Sequence, residues 1–406
     1  MERRYLPNPR RSDVGLVAPD GPRPRSFHRR LPGYAPTRLV DAAPLAAGLD
    51  LGRVWVKDES SRLGLPAFKM LGASWATYRA LVDRLGTDPE PWADIDELAA
   101  ALAPLRPFRL AAATDGNHGR AVARMAKLLG LGCDIFMPDG SSPARVAAIE
   151  SEGASCTVLP GATYEDAVER AKAEAGDDCI VVSDTSWPGY EEIPRWVIDG
   201  YSTIFEEVDE QLESRGEPPI DVVVVQTGVG ALASATAAYY RGRPGRQPWL
   251  LNVEPVDAAC LLVSVEAGER TLVPGPHRSI MAGLNCGLPS MLAFPTVAAG
   301  FDAFVSVTDD DARRAMRELA DVCVVAGETG AAGLAGLDVV VERAAEWGAP
   351  LGPDTSVLVL CTEGATDPAA YREIVGAEPV ACARAREGGE PCPEGTCARL
   401  GVIAGR

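Results

Sequence analysis

Val222-Val223-Val224-Val225-Gln226-Thr227-Gly228-Val229-Gly230-Ala231-Leu232 reads as strand, turn and helix with no residue to spare. Four β-branched side chains in a row suit a strand buried on both faces, small residues make the turn, and an alanine-rich helix begins at once. The same succession recurs along the chain. Val54-Trp55-Val56 and residues 108–113, 133–137, 179–183, 250–254 and 356–360 are short apolar runs, each followed by Gly, Pro or Asp and then a segment of helical period. That alternation predicts an α/β protein with parallel sheets, and 406 residues suit two lobes.

Ligands of open α/β sheets bind outside the carboxyl ends of the strands, so the turns there carry the chemical reading. Gly228, Val229, Gly230 and Ala231 let backbone N–H groups approach an anion at a helix N-terminus, although a Gly-x-Gly turn also serves tight strand-to-helix packing. The turn lacks the lysine of a nucleotide P-loop and the third glycine of the dinucleotide fingerprint, which implies a ligand smaller than a nucleotide. A second turn, Thr114-Asp115-Gly116-Asn117-His118-Gly119, offers N–H groups to a carboxylate. Asp115 is the better candidate for moving a proton, because a histidine opening a helix is more often a structural hydrogen-bonding residue. In Pro66-Ala67-Phe68-Lys69-Met70-Leu71-Gly72-Ala73-Ser74 a single lysine sits in an apolar stretch. A desolvated lysine is a usable nucleophile toward an aldehyde, whereas the alternative is a lysine snorkelling from a helix face. Thr308 followed by Asp309, Asp310 and Asp311 reads as a helix cap with an acidic first turn rather than a metal cluster.

A lysine for an aldehyde, a phosphate cup and a carboxylate loop are together the attachments a pyridoxal 5'-phosphate amino-acid enzyme needs. The chain resembles the fold-type II pyridoxal-phosphate enzymes, tryptophan synthase β-like, and among them the diaminopropionate ammonia-lyase family. The resemblance is carried by SFHRRLPGYAPTRL, VWVKDESSRLGLPAFKMLGAS, ATDGNHGRAVA, SDTSWPGYEEIP, VVVVQTGVGALA, VEPVDAACL, SIMAGLNCGLPS, GETGAAGL and CTEGATDP, collinear from residue 26 to residue 371. It implies two open α/β lobes with mostly parallel twisted sheets and the active site between them, a large domain of residues 1–69 and 205–406 and a small domain of 70–204. It implies further that Lys69 bonds the cofactor, Asn117 contacts its ring hydroxyl, residues 228–231 bind its phosphate, and Thr114 to His118 hold the substrate carboxylate. Asp115 and Asp184 become the acid–base groups, and either Cys361 or Thr362 the partner of the pyridine nitrogen. The substrate so implied is 2,3-diaminopropionate, as the L and perhaps the D enantiomer, eliminated to pyruvate and two ammonia. Serine-specific relatives carry a serine-rich version of the 114–119 loop, so Asp115 points to a substrate with a second amino group. A serine or threonine dehydratase, another β-eliminating or β-replacing enzyme, or a non-catalytic cofactor-binding protein are the alternatives.

A net charge of -18 excludes nucleic acid and anionic membrane as partners, since both need a basic footprint. No apolar run reaches membrane-spanning length, and Met1-Glu2-Arg3-Arg4 leads into Arg- and Pro-rich sequence, so a cytoplasmic protein is expected. A homodimer is the expected assembly. Residues 1–32 read as an irregular arm and 377–406 as an irregular tail. Ten cysteines are scattered singly; Cys260 and Cys286 read as independent thiols rather than a redox pair, and Cys382, Cys392 and Cys397 lack the further ligands of a zinc site.

Overall fold

The computed structural model describes residues 2–12, 23–114 and 116–380. Its strands are β1 (Tyr5–Pro7), β2 (Arg38–Asp41), β3 (Arg53–Asp58), β4 (Arg109–Ala113), β5 (Gly132–Met137), β6 (Ser155–Val158), β7 (Cys179–Val181), β8 (Val222–Gln226), β9 (Trp249–Pro255), β10 (Ala303–Val307) and β11 (Ser356–Cys361). The chain divides into two compact units. One takes the described residues of 1–19, 36–61 and 204–406, the other those of 20–35 and 62–203.

In the larger unit a seven-stranded sheet runs in the order β1-β10-β9-β8-β11-β3-β2. Its five inner strands are mutually parallel, and β1 and β2 close the edges antiparallel. The register lines up Val56, Val359, Val224, Leu251 and Ala303 across those five strands. All five belong to one buried cluster with Met316 and Leu319 of the Asp309–Asp321 helix and Leu334 and Leu337 of the Glu328–Val341 helix. Each such side chain contributes roughly 1.5–3 kcal/mol by leaving water, which is why the apolar runs of this sheet are continuous rather than alternating.

The smaller unit is built on a parallel four-stranded sheet, β6-β5-β4-β7. Ala111 and Ala113 of β4 let the Tyr164–Lys172 helix settle close, with Ala167, Val168 and Ala171 against Phe136 and Val181. Because β4 and β7 are parallel neighbours, the polar segments that follow them leave the sheet at the same end. That topology places the candidate chemistry.

Three sequence expectations change. The segment read as an irregular arm holds β1, paired with β10, and a short helix, Pro24–His28. The cause is tertiary: Tyr5 stacks on Trp347 at 4.4 Å, and Phe27 joins a ring cluster with Trp75, Tyr78 and Trp92. The division between units falls at Ser61 and Arg62, and 23–35 join the smaller unit, so Lys69 lies in the smaller unit and not the larger. Strands β2, β6 and β10 were not anticipated. Residues 381–406, with Cys382, Cys392 and Cys397, lie outside the described residues, as do 13–22 and Asp115.

Among the described residues no cysteine is in a disulfide, Cys260 and Cys286 included, and no group of His, Cys, Asp and Glu is arranged to hold a metal. No described helix is long and apolar enough to cross a membrane. The acidic run at 309–311 is a helix start: Thr308 Oγ1 accepts from Asp311 N, and Asp311 Oδ2 accepts from Thr308 N at 2.9 Å, a reciprocal capping box. Replacing Thr308 by Ala is expected to cost about 1 kcal/mol in urea unfolding, with the visible spectrum of the protein unchanged.

Candidate active site

In the smaller unit Lys69 opens the Lys69–Leu85 helix, and its Nζ donates to Asp184 Oδ2 at 2.6 Å. The two residues are 115 apart in sequence and meet because Asp184 follows β7 while the helix packs over the same end of the sheet. Asp184 is only 6% exposed. Burial pushes its carboxyl up, but the Lys69 ammonium and, secondarily, His118 pull harder, and the balance leaves it at about 2. It is therefore an ionised carboxylate at neutral pH.

The segment bearing Asp184 is braced by a residue that the sequence reading passed over. Tyr190 Oη donates to Val181 O at 2.7 Å and accepts from Ser183 N at 2.9 Å, and its ring stacks on Trp187 at 3.9 Å. A tyrosine six residues beyond an active carboxylate gives no local signal; the tie forms only when the chain folds back.

At the end of β4, Thr114 Oγ1 accepts from Gly116 N at 2.9 Å and Gly119 N at 3.1 Å, folding the loop into a compact turn. Gly116 has a φ of 154°, which a side chain would disfavour. Asn117 begins the Asn117–Leu129 helix, and His118 is buried with Nε2 against Val182 O at 2.8 Å. A carbonyl only accepts, so Nε2 carries the hydrogen and ties this helix to the end of β7. Asp115 lies outside the described residues.

In the larger unit the turn after β8 has an open mouth. Gly230, φ 105°, precedes the Ala231–Arg241 helix and brings no side chain to cap its first N–H groups. A Cβ on Gly228 would lie 3.0 Å from Cys286 Sγ and 3.1 Å from Gly283 O, so the cradle exists only because residue 228 is glycine. The donor set and the uncapped helix dipole fit a phosphate monoester.

The neighbouring strand β11 ends at Cys361, and Thr362 follows directly. The Cys361 thiol is packed in the core with Val56, Val359 and Tyr371, points toward Glu363 O at 3.4 Å, and is pushed far up in pKa by burial. Thr362 Oγ1 instead accepts from Gln226 Nε2 at 3.0 Å, which leaves the hydroxyl hydrogen for another acceptor. Gln226 also reaches Leu360 O at 2.9 Å and Thr329 O at 3.1 Å, a second tie that the sequence did not announce.

A lysine held by a buried carboxylate, on a protein with an uncapped glycine turn at a helix N-terminus, fits the chemistry of pyridoxal-phosphate enzymes, and the family model described as "Pyridoxal-phosphate dependent enzyme" matches residues 30–362. Within that class the chain belongs to the diaminopropionate ammonia-lyase family. It is 37% identical to the diaminopropionate ammonia-lyase of Salmonella typhimurium over 371 residues, covering 86% of this chain and 90% of that enzyme. The crystal structure of diaminopropionate ammonia-lyase from Escherichia coli in complex with D-serine is 33% identical, with a TM-score of 0.83, and covers 92% of this chain and 97% of that one. The same E. coli enzyme in complex with an aminoacrylate-PLP azomethine reaction intermediate gives a TM-score of 0.80 at 33% identity, covering 92% of this chain and 97% of that one.

Two outcomes follow from the geometry. The Asp184 carboxyl is depressed from its ordinary 3.8 in the folded protein, so the stability it supplies is complete above about pH 4 and is lost as pH falls toward 2. In cofactor-free protein, Lys69→Ala should cost about 2 kcal/mol in urea unfolding at pH 6, a difference that shrinks below pH 4. Gly228→Val should weaken pyridoxal phosphate binding at least about tenfold, or about 1.4 kcal/mol, while leaving the binding of unphosphorylated pyridoxal unchanged in a spectroscopic titration.

Proposed function

We propose that this protein is a pyridoxal-phosphate-dependent lyase that eliminates the β-amino group of 2,3-diaminopropionate, giving pyruvate and two ammonia. The observation that carries the reading is the contact between Lys69 and Asp184 in a chain so similar to curated diaminopropionate ammonia-lyases along most of its length. Lys69 is assigned to the cofactor's aldehyde carbon, Asn117 to its ring hydroxyl, Thr362 to its pyridine nitrogen, and Gly228, Val229, Gly230 and Ala231 to its phosphate. When bound, the cofactor supplies an electron sink for the pair left on Cα as its proton departs.

The remaining steps belong to side chains. Asp184 takes a proton at Cα, and the loss of the Lys69 charge is what readies it: with the ammonium gone, burial dominates and the carboxylate becomes more basic. The 114–118 segment holds the substrate carboxylate through backbone N–H groups. Asp115 is assigned the second acid–base role, delivering a proton to the departing β-amino group or serving the opposite face of Cα, which would admit both enantiomers. The three-carbon enamine left behind adds water and loses the second ammonia to become pyruvate.

We further propose a homodimer in the cytoplasm. A reducing compartment suits a chain whose described cysteines are in no disulfide, several of them buried in the sheets.

Pyruvate and ammonia should be followed with L- and D-2,3-diaminopropionate, serine and threonine as substrates. The expected result is two ammonia per pyruvate and a kcat/KM for diaminopropionate at least about tenfold above that for serine; dominant turnover of serine or threonine would overturn the assignment. Asp184→Asn and Asp115→Asn should keep the cofactor's visible band and lower turnover by roughly a hundredfold, each with a different preference between the enantiomers.

A further inference from the structure

Tyr201 closes the Glu192–Gly200 helix and is fully buried, yet its hydroxyl oxygen makes no hydrogen bond among the described residues. A buried hydroxyl without a partner costs stability, and such groups in a native fold call for a cause. Its position supplies one. The Lys69–Leu85 and Glu192–Gly200 helices touch through two glycines: a Cβ on Gly200 would lie 2.6 Å from Leu71 O, and a Cβ on Gly72 would lie 2.6 Å from Tyr201 Cε1 and 2.7 Å from Cζ. The hydroxyl-bearing end of the ring thus rests on Gly72, three residues beyond Lys69 and on the same helix face. Phe68 is shared between them, with its ring 4.7 Å from that of Tyr201 and 5.3 Å from Lys69 Nζ.

We propose that the Tyr201 hydroxyl is a positioning donor for Lys69, hydrogen-bonding the ε-nitrogen when it is a neutral amine and so favouring the form that can bond an aldehyde carbon. This deepens the role proposed for Lys69 and rests on it. Asp184 works in the opposite direction, since a carboxylate at 2.6 Å favours the ammonium. Burial keeps the phenol protonated, and the charges of Lys69 and Asp184 both reach it, so it acts as a donor and not as a base. Other ionisable groups on the packed elements have partners of their own, and His118 also bears on Asp184. His28 meets Leu71 O and Thr203 Oγ1, His118 meets Val182 O, Arg120 and Arg124 pair with Glu152, and Asp199 faces Arg195 and Arg79.

The test is the rate at which cofactor-free protein acquires its visible absorbance band on adding pyridoxal phosphate, measured across roughly pH 6 to 10. Tyr201→Phe keeps the ring on Gly72 and Phe68 and removes only the hydroxyl. Its midpoint is expected about 0.5–1 pH unit above that of the wild type, with no fall in melting temperature. A midpoint equal to that of the wild type overturns the proposal, whatever the melting temperature. If Tyr201→Phe is recovered unfolded, wild-type protein carrying 3-fluorotyrosine, a stronger donor, must show a lowered midpoint; an unmoved one is equally decisive against the idea. A wild-type protein that acquires no band strikes at the role of Lys69 itself, whereas a normal band with an unshifted variant strikes at Tyr201 alone.

Discussion

The chemistry of the smaller unit turns on one charge pair whose carboxylate the fold keeps from water. At about 4 Å two unit charges attract by about 1 kcal/mol in bulk water and by several times that in a partly desolvated setting, and Lys69 and Asp184 approach to 2.6 Å with the carboxylate almost entirely buried. Burial alone would neutralise Asp184. The ammonium reverses that, with help from His118, and so the charge of one residue sets the basicity of the other. A pair of this kind is poorly suited to being a mere staple, because breaking it leaves an uncompensated buried carboxylate. It suits a reaction in which the lysine gives up its charge at one stage and recovers it at another.

Strand order explains how such residues are brought together. In the smaller unit the parallel neighbours β4 and β7 deliver the Thr114 turn and the Asp184 segment to the same end of the sheet; His118 fastens the two, and Tyr190 braces the Asp184 segment on β7. In the larger unit the parallel neighbours β8 and β11 do the same for the phosphate turn and Thr362, with Gln226 as the fastening. Both units thus use one device: parallel strands set chemically active turns side by side, and a buried polar side chain from an adjacent position holds their geometry. Of these fastenings, Tyr190 and Gln226 were silent in the sequence, because a single tyrosine or glutamine has many uses and its partners are distant in the chain.

The α/β architecture was legible because its signals are local. Val222 to Val225, the small residues after them and the alanine-rich helix beyond are each a statement about a few neighbouring residues, and the same holds for the capping box at Thr308 and Asp311. Lys69, the Gly228 turn and the Thr114 loop were legible as separate pieces, and the family resemblance joined them. What failed had weak local signals. β1 is three residues ending in proline, and it forms because β10 offers an edge and Trp347 a ring for Tyr5 to stack on.

By itself the sequence determined the class of fold and singled out Lys69 and the Gly228 turn as candidates, since hydrophobic period and residue size are properties of neighbouring positions. Only the tertiary structure decided that Lys69 belongs with Asp184 in the smaller unit, that the Thr362 hydroxyl meets Gln226 while the Cys361 thiol packs in the core, and that the hydroxyl-bearing end of Tyr201 comes to rest on Gly72. Those outcomes are set by which strands pair and how closely two helices approach, and desolvation, which tunes the carboxylate, exists only after they have done so.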